Sequence, residues 1–177
     1  MDLVIRLSAE GDIPDISAIY ANAVLHGTAS FELDPPSEDE MARRRAALLA
    51  GGYPYLVAAR RGTLVGYAYA GGYRARPAYR STVEDSIYVA AAAQGQGVGR
   101  ALLDALIRDS TGRGFRQMIA VIGDSASKGS IRLHESLGFR HVGTLQSVGH
   151  KHGRWLDTVL MQRNLGAGAT EPPQIQL

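Results

Sequence analysis

Alternating apolar and polar positions in "LVIRLS" (Leu3–Ser8) predict a first strand. The period then lengthens. Ile13, Ile16, Ile19, Tyr20 and Ala23 recur at helical spacing, and Asp12 stands where an N-cap belongs. "HGTASFELDPPS" (His26–Ser37) has loop chemistry, with Phe31 in its middle. Ser37 and Glu40 have the spacing of a capping box, so a second helix is expected over Ser37–Ala50 until "GGYP" breaks it. Two apolar runs, Tyr55–Ala59 and Thr63–Ala70, joined by "RRG", predict a hairpin. Ser81–Val89 reads as a strand, Val98–Ser110 as a helix and Met118–Ile122 as a short strand. Ser127–Leu137 reads as a short helix stopped by Gly138. Strand-like runs at His141–Val148 and Trp155–Gln162 close the pattern.

The resulting order, β-α-α-β-β-β-α-β-α-β-β, predicts one mixed α/β domain over residues 1–165. It differs from the strict βαβ alternation of a doubly wound dinucleotide fold. "GAGATEPPQIQL" (166–177) is expected to be a loose tail. No internal repeat is visible.

Composition narrows the class. A chain of 177 residues with 45% apolar and 20% charged content can bury a single sizeable core. No stretch reaches the roughly 18 apolar residues of a membrane span. The opening "MDLVIRLSAEGD" lacks a basic segment followed by a long apolar one, so no secretory signal is expected. The absence of cysteine excludes disulfides, thiolate nucleophiles and cysteine metal sites. Together these features predict a cytoplasmic protein with no membrane partner. A net charge of +2, with the charges dispersed, argues against a nucleic-acid partner. The longest basic run, Arg43–Arg45, is expected on a solvated helix face. His150 and His152 flank Lys151, but no third ligand is evident, so no metal is expected.

The candidate chemistry centres on "QGQGVG", Gln94–Gly99, between a strand and a helix. Alternating glycines let backbone N–H groups crowd around a phosphate without Cβ clashes, and the helix start adds its dipole. A P-loop needs a lysine after its last glycine, yet the first lysine of the chain is Lys128. A dinucleotide fingerprint needs a third glycine where Arg100 stands, and a first strand rather than a mid-chain one. Just before the loop, alternation puts Thr82, Glu84, Ser86 and Tyr88 on one face of a strand and Asp85 on the other. Glu84 is either a hydrogen-bonded strand residue or a general base, and Asp85 is the weaker candidate of the two. Arg74 and Arg76, two apart, share a face if extended and suit bidentate binding of oxyanions.

Gln94, Gly97 and Gly99 fit the pattern Q/R-x-x-G-x-G/A, and the loop resembles the pyrophosphate loop of the GCN5-related N-acetyltransferases (GNAT). "TASFE", "YPYLVA", "GYAYAGGYRARPAY", "TVEDSIYV", "LHESLGF" and "VGHKHGRWLDTVLMQ" are similar to the phosphinothricin and methionine sulfoximine acetyltransferase branch, over roughly residues 3–163. The resemblance implies a GNAT fold, a central, mostly antiparallel twisted sheet with a parallel splay and flanking helices. It implies acetyl-CoA as co-substrate, without a metal. The loop from Gln94, Gly95, Gln96, Gly97, Val98 and Gly99 to Arg100 would then hold the pyrophosphate. The backbone of Ile87, Tyr88 and Val89 would pair with the pantetheine arm.

The resemblance also implies roles for single side chains. Glu84 would be the general base. Ser127 stands where an asparagine is common in the superfamily, and Ser127 and Ser130 would bond the pantetheine amides. His134, seven residues later, would take the place of the usual tyrosine acid. Phe31, Arg74, Arg76 and Tyr79 would surround an amino-acid-like substrate, with Lys151 a further candidate. A homodimer is implied, with the C-terminal hairpin available for it. The expected reaction is acetyl transfer to a small molecule's α-amine, by direct attack in a ternary complex. Acetylation of protein N-termini or another amine is the alternative, and a non-catalytic acyl-CoA-binding module is a third reading. An open groove near Phe31 would favour the second, and a substituted Glu84 the third.

Overall fold

The computed structural model describes residues 3–173. Strand β1 covers Leu3–Leu7 and is followed by helices α1 (Ile13–His26) and α2 (Glu38–Ala50). The hairpin β2 (Tyr55–Arg60) and β3 (Thr63–Gly72) comes next, then β4 (Thr82–Val89) and α3 (Val98–Gly112). The chain continues through β5 (Gln117–Gly123), α4 (Lys128–Ser136), β6 (Arg140–Lys151) and β7 (Arg154–Asn164). The element order is the one the hydrophobic pattern predicts.

All strands join one seven-stranded sheet in the order β1-β2-β3-β4-β5-β7-β6. Every neighbouring pair is antiparallel except β4 and β5. The β2–β3 turn places Arg61 at φ 52° and Gly62 at φ 81°, the left-handed pair that suits the twist of a tight hairpin. The β6–β7 ladder runs to Lys151↔Arg154, so β6 outlasts the expected His141–Val148 at both ends.

Alternation splits the core in two. Leu56, Ala58, Ala68, Ala70, Val83, Met118 and Ala120 face α3, whose Leu102, Leu103 and Leu106 are fully buried. Tyr55, Val57 and Tyr67 face α1 and α2, which bring Ile16, Tyr20, Val24 and Met41. A tyrosine stack fills this second face. The Tyr67 ring lies 5.2 Å from Tyr88 and 5.9 Å from Tyr55, and Tyr20 meets Tyr88 edge-on at 5.0 Å.

Three local expectations change on folding. Asp12 occupies the N-cap position of α1 without capping it. Its carboxylate takes two 2.7 Å bonds from Arg6 and one from the Ala9 N–H, because a nearby guanidinium is the stronger partner. At α2, Ser37 Oγ accepts the Glu40 N–H at 3.2 Å, but the Glu40 side chain turns to Arg43 and Arg44 instead of closing the box. Arg45 is buried and not part of a solvated face. It donates to Ser8 Oγ at 2.7 Å and to the Ser8 carbonyl at 2.6 Å, tying α2 to the end of β1.

Of the segment expected as a tail, 174–177 lie outside the described residues. Before them, Leu165 and Gly168 are buried, and Arg116 donates to the Pro172 carbonyl at 3.1 Å. Among the described residues no helix is long and apolar enough to cross a membrane.

Candidate active site

The parallel pairing of β4 with β5 covers only Thr82↔Gln117 to Asp85↔Ala120. Beyond it the strands part. β4 stays paired with β3 as far as Val89↔Gly66, while β5 stays paired with β7 as far as Gly123↔Thr158. The β4 edge from Ser86 to Val89 is left without a strand on its β5 side. Backbone donors and acceptors in such a wedge require water or a ligand, and an extended ligand can bind them as an added strand does. The wedge opens into a cavity of about 870 Å³ lined by Glu84–Val89 of β4 and Ala120–Gly123 of β5. That volume is in the range of small-molecule sites.

One end of the cavity is the glycine loop. Gly97, at φ 80°, is the N-cap of α3, and no side chain caps the helix. The first N–H groups of α3 are thus free for an anion. Gly95 is also left-handed, at φ 72°, and a Cβ on either glycine would meet nothing within 4 Å. These two are glycine for conformation. Gly99 is glycine for closeness, since a Cβ there would lie 3.3 Å from Leu133 of α4. Gln94, Gly95, Gly97, Val98, Gly99 and Arg100 line the cavity. Gln96 does not. It bonds Arg60 and the Ala92 carbonyl and braces the loop from outside. Arg100 donates to Ser136 Oγ at 2.7 Å. Ser127 and Ser130, at the start of α4, line the same wall.

At the base of the wedge the two faces of β4 carry different chemistry. On the tyrosine face, Glu84 lines the cavity with Tyr69, Ser86 and Tyr88. Burial raises the Glu84 pKa and the Asp85 charge adds to it, while Arg74 opposes both. On the α3 face, Asp85 and His134 form a buried pair. His134 Nε2 lies 3.0 Å from Asp85 Oδ2, and His134 Nδ1 lies 2.8 Å from the Ser130 carbonyl. Burial lowers the His134 pKa, but the Asp85 hydrogen bond and charge, with the Ser130 carbonyl, outweigh it and leave it above its ordinary 6.5. Asp85 Oδ1 is buried with no hydrogen-bond partner.

Phe31 lines the cavity and packs on bare backbone. A Cβ on Gly149 would sit 2.3 Å from its ring, and one on Gly123 would sit 2.9 Å away. Its loop is pinned from three directions. Tyr20 Oη and Ser30 Oγ are 2.8 Å apart, Lys151 Nζ donates to the Ser30 carbonyl at 2.7 Å, and His152 Nε2 lies 3.2 Å from the Gly27 carbonyl. Arg74, Arg76 and Tyr79 sit on the exposed β3–β4 connection, outside the cavity lining. The Arg74 guanidinium stacks on Tyr73 at 5.1 Å. Among the described residues no group of three or more His, Asp or Glu side chains is placed to hold a metal.

The structure therefore gathers Glu84, Ile87–Val89, Gln94, Gly95, Gly97–Arg100, Ser127, Ser130, His134 and Phe31 around one cavity, and leaves Gln96, Arg74, Arg76 and Tyr79 outside its lining. The sequence favours Glu84 over Asp85 and gives no site role to Tyr69, Ser86, Gly123 or Gly149. The 49-residue separation of Asp85 and His134 carries no local signal. For Tyr69 and Ser86, strand alternation in register with Glu84 was an available signal.

Comparison with known proteins agrees with this geometry. The profile of the acetyltransferase (GNAT) family matches residues 21–139. A phosphinothricin N-acetyltransferase of Alcaligenes faecalis is 55% identical over 170 residues, 96% of this chain and 86% of that protein. An L-methionine sulfoximine/L-methionine sulfone acetyltransferase of Salmonella typhimurium is 41% identical, over 92% of this chain and 95% of that protein. The crystal structure of a phosphinothricin acetyltransferase from Sinorhizobium meliloti in complex with AcCoA superposes with a TM-score of 0.95. It has 49% identity and covers 98% of this chain and 94% of that one. A wedge between β4 and β5, a glycine loop at a helix N-terminus and these relatives lead to one conclusion: the chain belongs to the acetyltransferase (GNAT) family and is similar to its phosphinothricin and methionine sulfoximine acetyltransferases.

Proposed function

We propose that the cavity binds acetyl-CoA and that the protein transfers its acetyl group to the α-amine of a small amino-acid-like substrate of the phosphinothricin, methionine sulfoximine or methionine sulfone type. The observation that carries the reading is the wedge. It has an uncapped helix N-terminus at one end, an unpaired β4 edge along its length and a half-buried glutamate at its base. The free N–H groups of Val98, Gly99 and Arg100 suit a pyrophosphate. The edge from Ile87 to Val89 suits the amides of a pantetheine arm, with Ser127 and Ser130 facing it from α4. Acetyl-CoA supplies an activated thioester, and the protein supplies binding, a proton acceptor and an oxyanion donor.

Glu84 is the proton acceptor. A free α-amine has a pKa of roughly 7.7–8.0 and is mostly protonated at neutral pH. Burial lifts Glu84 toward that range and makes it a better base than a solvated carboxylate. A β4 backbone N–H at the wedge supports the developing oxyanion. Without a cysteine, attack is direct in a ternary complex. On the substrate side, Phe31 closes one wall. Arg74, close enough to Glu84 to act on its charge, is assigned with Arg76 and Tyr79 to the rim, where the substrate's carboxylate and phosphinyl or sulfonyl oxygens would dock. His134 is assigned to the thiol side. The β6 edge, with exposed Val142, Leu145 and Val148 beside exposed Trp155, is assigned to a homodimer contact. The cytoplasm is assigned as the compartment, with which a cysteine-free chain is compatible.

The test is thiol release from acetyl-CoA by the purified protein with phosphinothricin, methionine sulfoximine, methionine sulfone and short peptides as acceptors. Turnover with one of the three amino-acid analogues, faster than with any peptide, is expected. Release with none of them overturns the substrate class.

A further inference from the structure

Two glycines of the sheet have no conformational reason to be glycine. Gly123 ends β5 and Gly149 lies near the end of β6, and neither has a positive φ. Their partners across the ladders are Thr158 and Leu156 of β7. Those partners are two residues apart, so all four positions face one side of the sheet. A register break in β6 between Leu145 and Gly149, where the Ser147 N–H bonds Asp157 at 2.9 Å, brings Gly149 opposite Leu156. The loop after α1 lies on this side. A Cβ on Gly149 would come within 3.0 Å of three Phe31 ring atoms, Cε2, Cδ2 and Cζ. A Cβ on Gly123 would strike the Thr28 carbonyl oxygen and lie 2.9 Å from Cε1 of the same ring. One edge of the ring is thus set against each strand, with main chain directly behind it. The same residue lines the cavity and is 39% exposed. Lys151, two residues after Gly149 on β6, donates to the Ser30 carbonyl at 2.7 Å and holds the loop in this seat.

We propose that Gly149 and Gly123 determine acceptor size: they are the socket of the Phe31 ring, and they set the longest side chain the amine substrate can carry. The inference rests on the acetyltransferase reading above, in which Phe31 closes one wall of the acceptor site. A side chain that meets the ring cannot drive it back, because the main chain of β5 and β6 stands behind it and close-packed structure gives little. The depth of the wall is therefore fixed by the two absent side chains. A methyl group on Gly149 takes the place of the ring edge and drives the ring off the strands, into the cavity. Gly149 itself is outside the cavity lining. It acts on the acceptor only through Phe31, as a specificity-determining residue one layer removed from the chemistry.

The test is kcat/KM for three acceptors that differ by one carbon each: S-methylcysteine sulfone, methionine sulfone and ethionine sulfone. Gly149→Ala is expected to lower the value for the longest at least about tenfold more than for the shortest. The Kd for acetyl-CoA, measured by calorimetry, is expected to stay within about twofold of wild type, a margin small beside the tenfold change. Phe31→Ala is expected to shift the preference the other way, toward ethionine sulfone. In the double variant Phe31→Ala/Gly149→Ala, the length preference is expected to match that of Phe31→Ala alone, because the methyl no longer has a ring to displace. The double variant also carries the test if Gly149→Ala fails to fold. Its Tm is expected at or above that of Phe31→Ala, since alanine suits a strand better than glycine does. An equal fall for all three acceptors, the same length shift with and without the Phe31 ring, or a lower Tm for the double variant overturns the socket and leaves the acetyltransferase reading standing. A wild type inactive toward every free amino acid overturns both.

Discussion

Glu84 and Asp85 are adjacent in sequence and live in different surroundings. Glu84 lies among tyrosines with a distant arginine. Asp85 lies in the aliphatic face with a histidine bonded to one oxygen. For Glu84 the folded pKa exceeds the ordinary 4.5. The unfolded chain therefore ionises first as pH rises, stability falls between the two values, and the loss persists at higher pH. Glu84→Gln removes that loss. At pH 8 the variant is expected to have a higher Tm than the wild type, while its kcat falls by about 10² to 10⁴. The acid limb of the kcat/KM profile should vanish with it. A lower Tm, or an unchanged kcat, would contradict its role as a strained base. Glu84 was visible in the sequence because a carboxylate stood mid-strand, just before a glycine loop. The pairing of Asp85 with His134 was not visible. Nothing local links two residues that only the docking of α4 onto the sheet brings together.

The glycine loop and α3 show how an element divides labour among similar residues. Gly95 and Gly97 are glycine because their φ values are positive, and Gly99 because α3 closes against Leu133. Gly97→Ala meets no clash, so its cost is conformational, about 1–2 kcal/mol. Misplacement of the N-cap also disturbs the free N–H groups of the first turn. A several-fold rise in KM for acetyl-CoA, with KM for the amine substrate unchanged, is the expected outcome in steady-state kinetics. An unaffected acetyl-CoA KM would remove the loop from the pyrophosphate site. Glycine spacing was legible in the sequence, but the separate reasons for each glycine were not. Arg45 makes the same point, since a run of three arginines read as a solvated face until α2 docked and buried the third on Ser8. The ends of β6 were also hidden, because the ladder with β7, more than its own composition, sets how far it runs.

At the scale of the molecule, the sheet leaves β6 as one edge, with Val142, Leu145 and Val148 exposed and Trp155 65% exposed on its partner strand. A long apolar edge is a surface that proteins cover or blunt. With the proposed dimer, Val148→Glu is expected to shift the protein from dimer to monomer mass in light scattering, with the secondary structure unchanged. A wild type that is monomeric at micromolar concentration would refute the dimer directly.

The order and type of the elements were determined by the sequence itself, because hydrophobic period and turn chemistry are local properties. The location of the candidate anion-binding turn and of the candidate base was local for the same reason, each written within a few consecutive residues. The tertiary structure alone decided that β4 and β5 part after Asp85, that Asp85 and His134 meet within hydrogen-bond distance, and that Phe31 rests on two glycines from different strands. Each of these is a contact between segments far apart in the chain, and its energy exists only once the sheet and helices have packed.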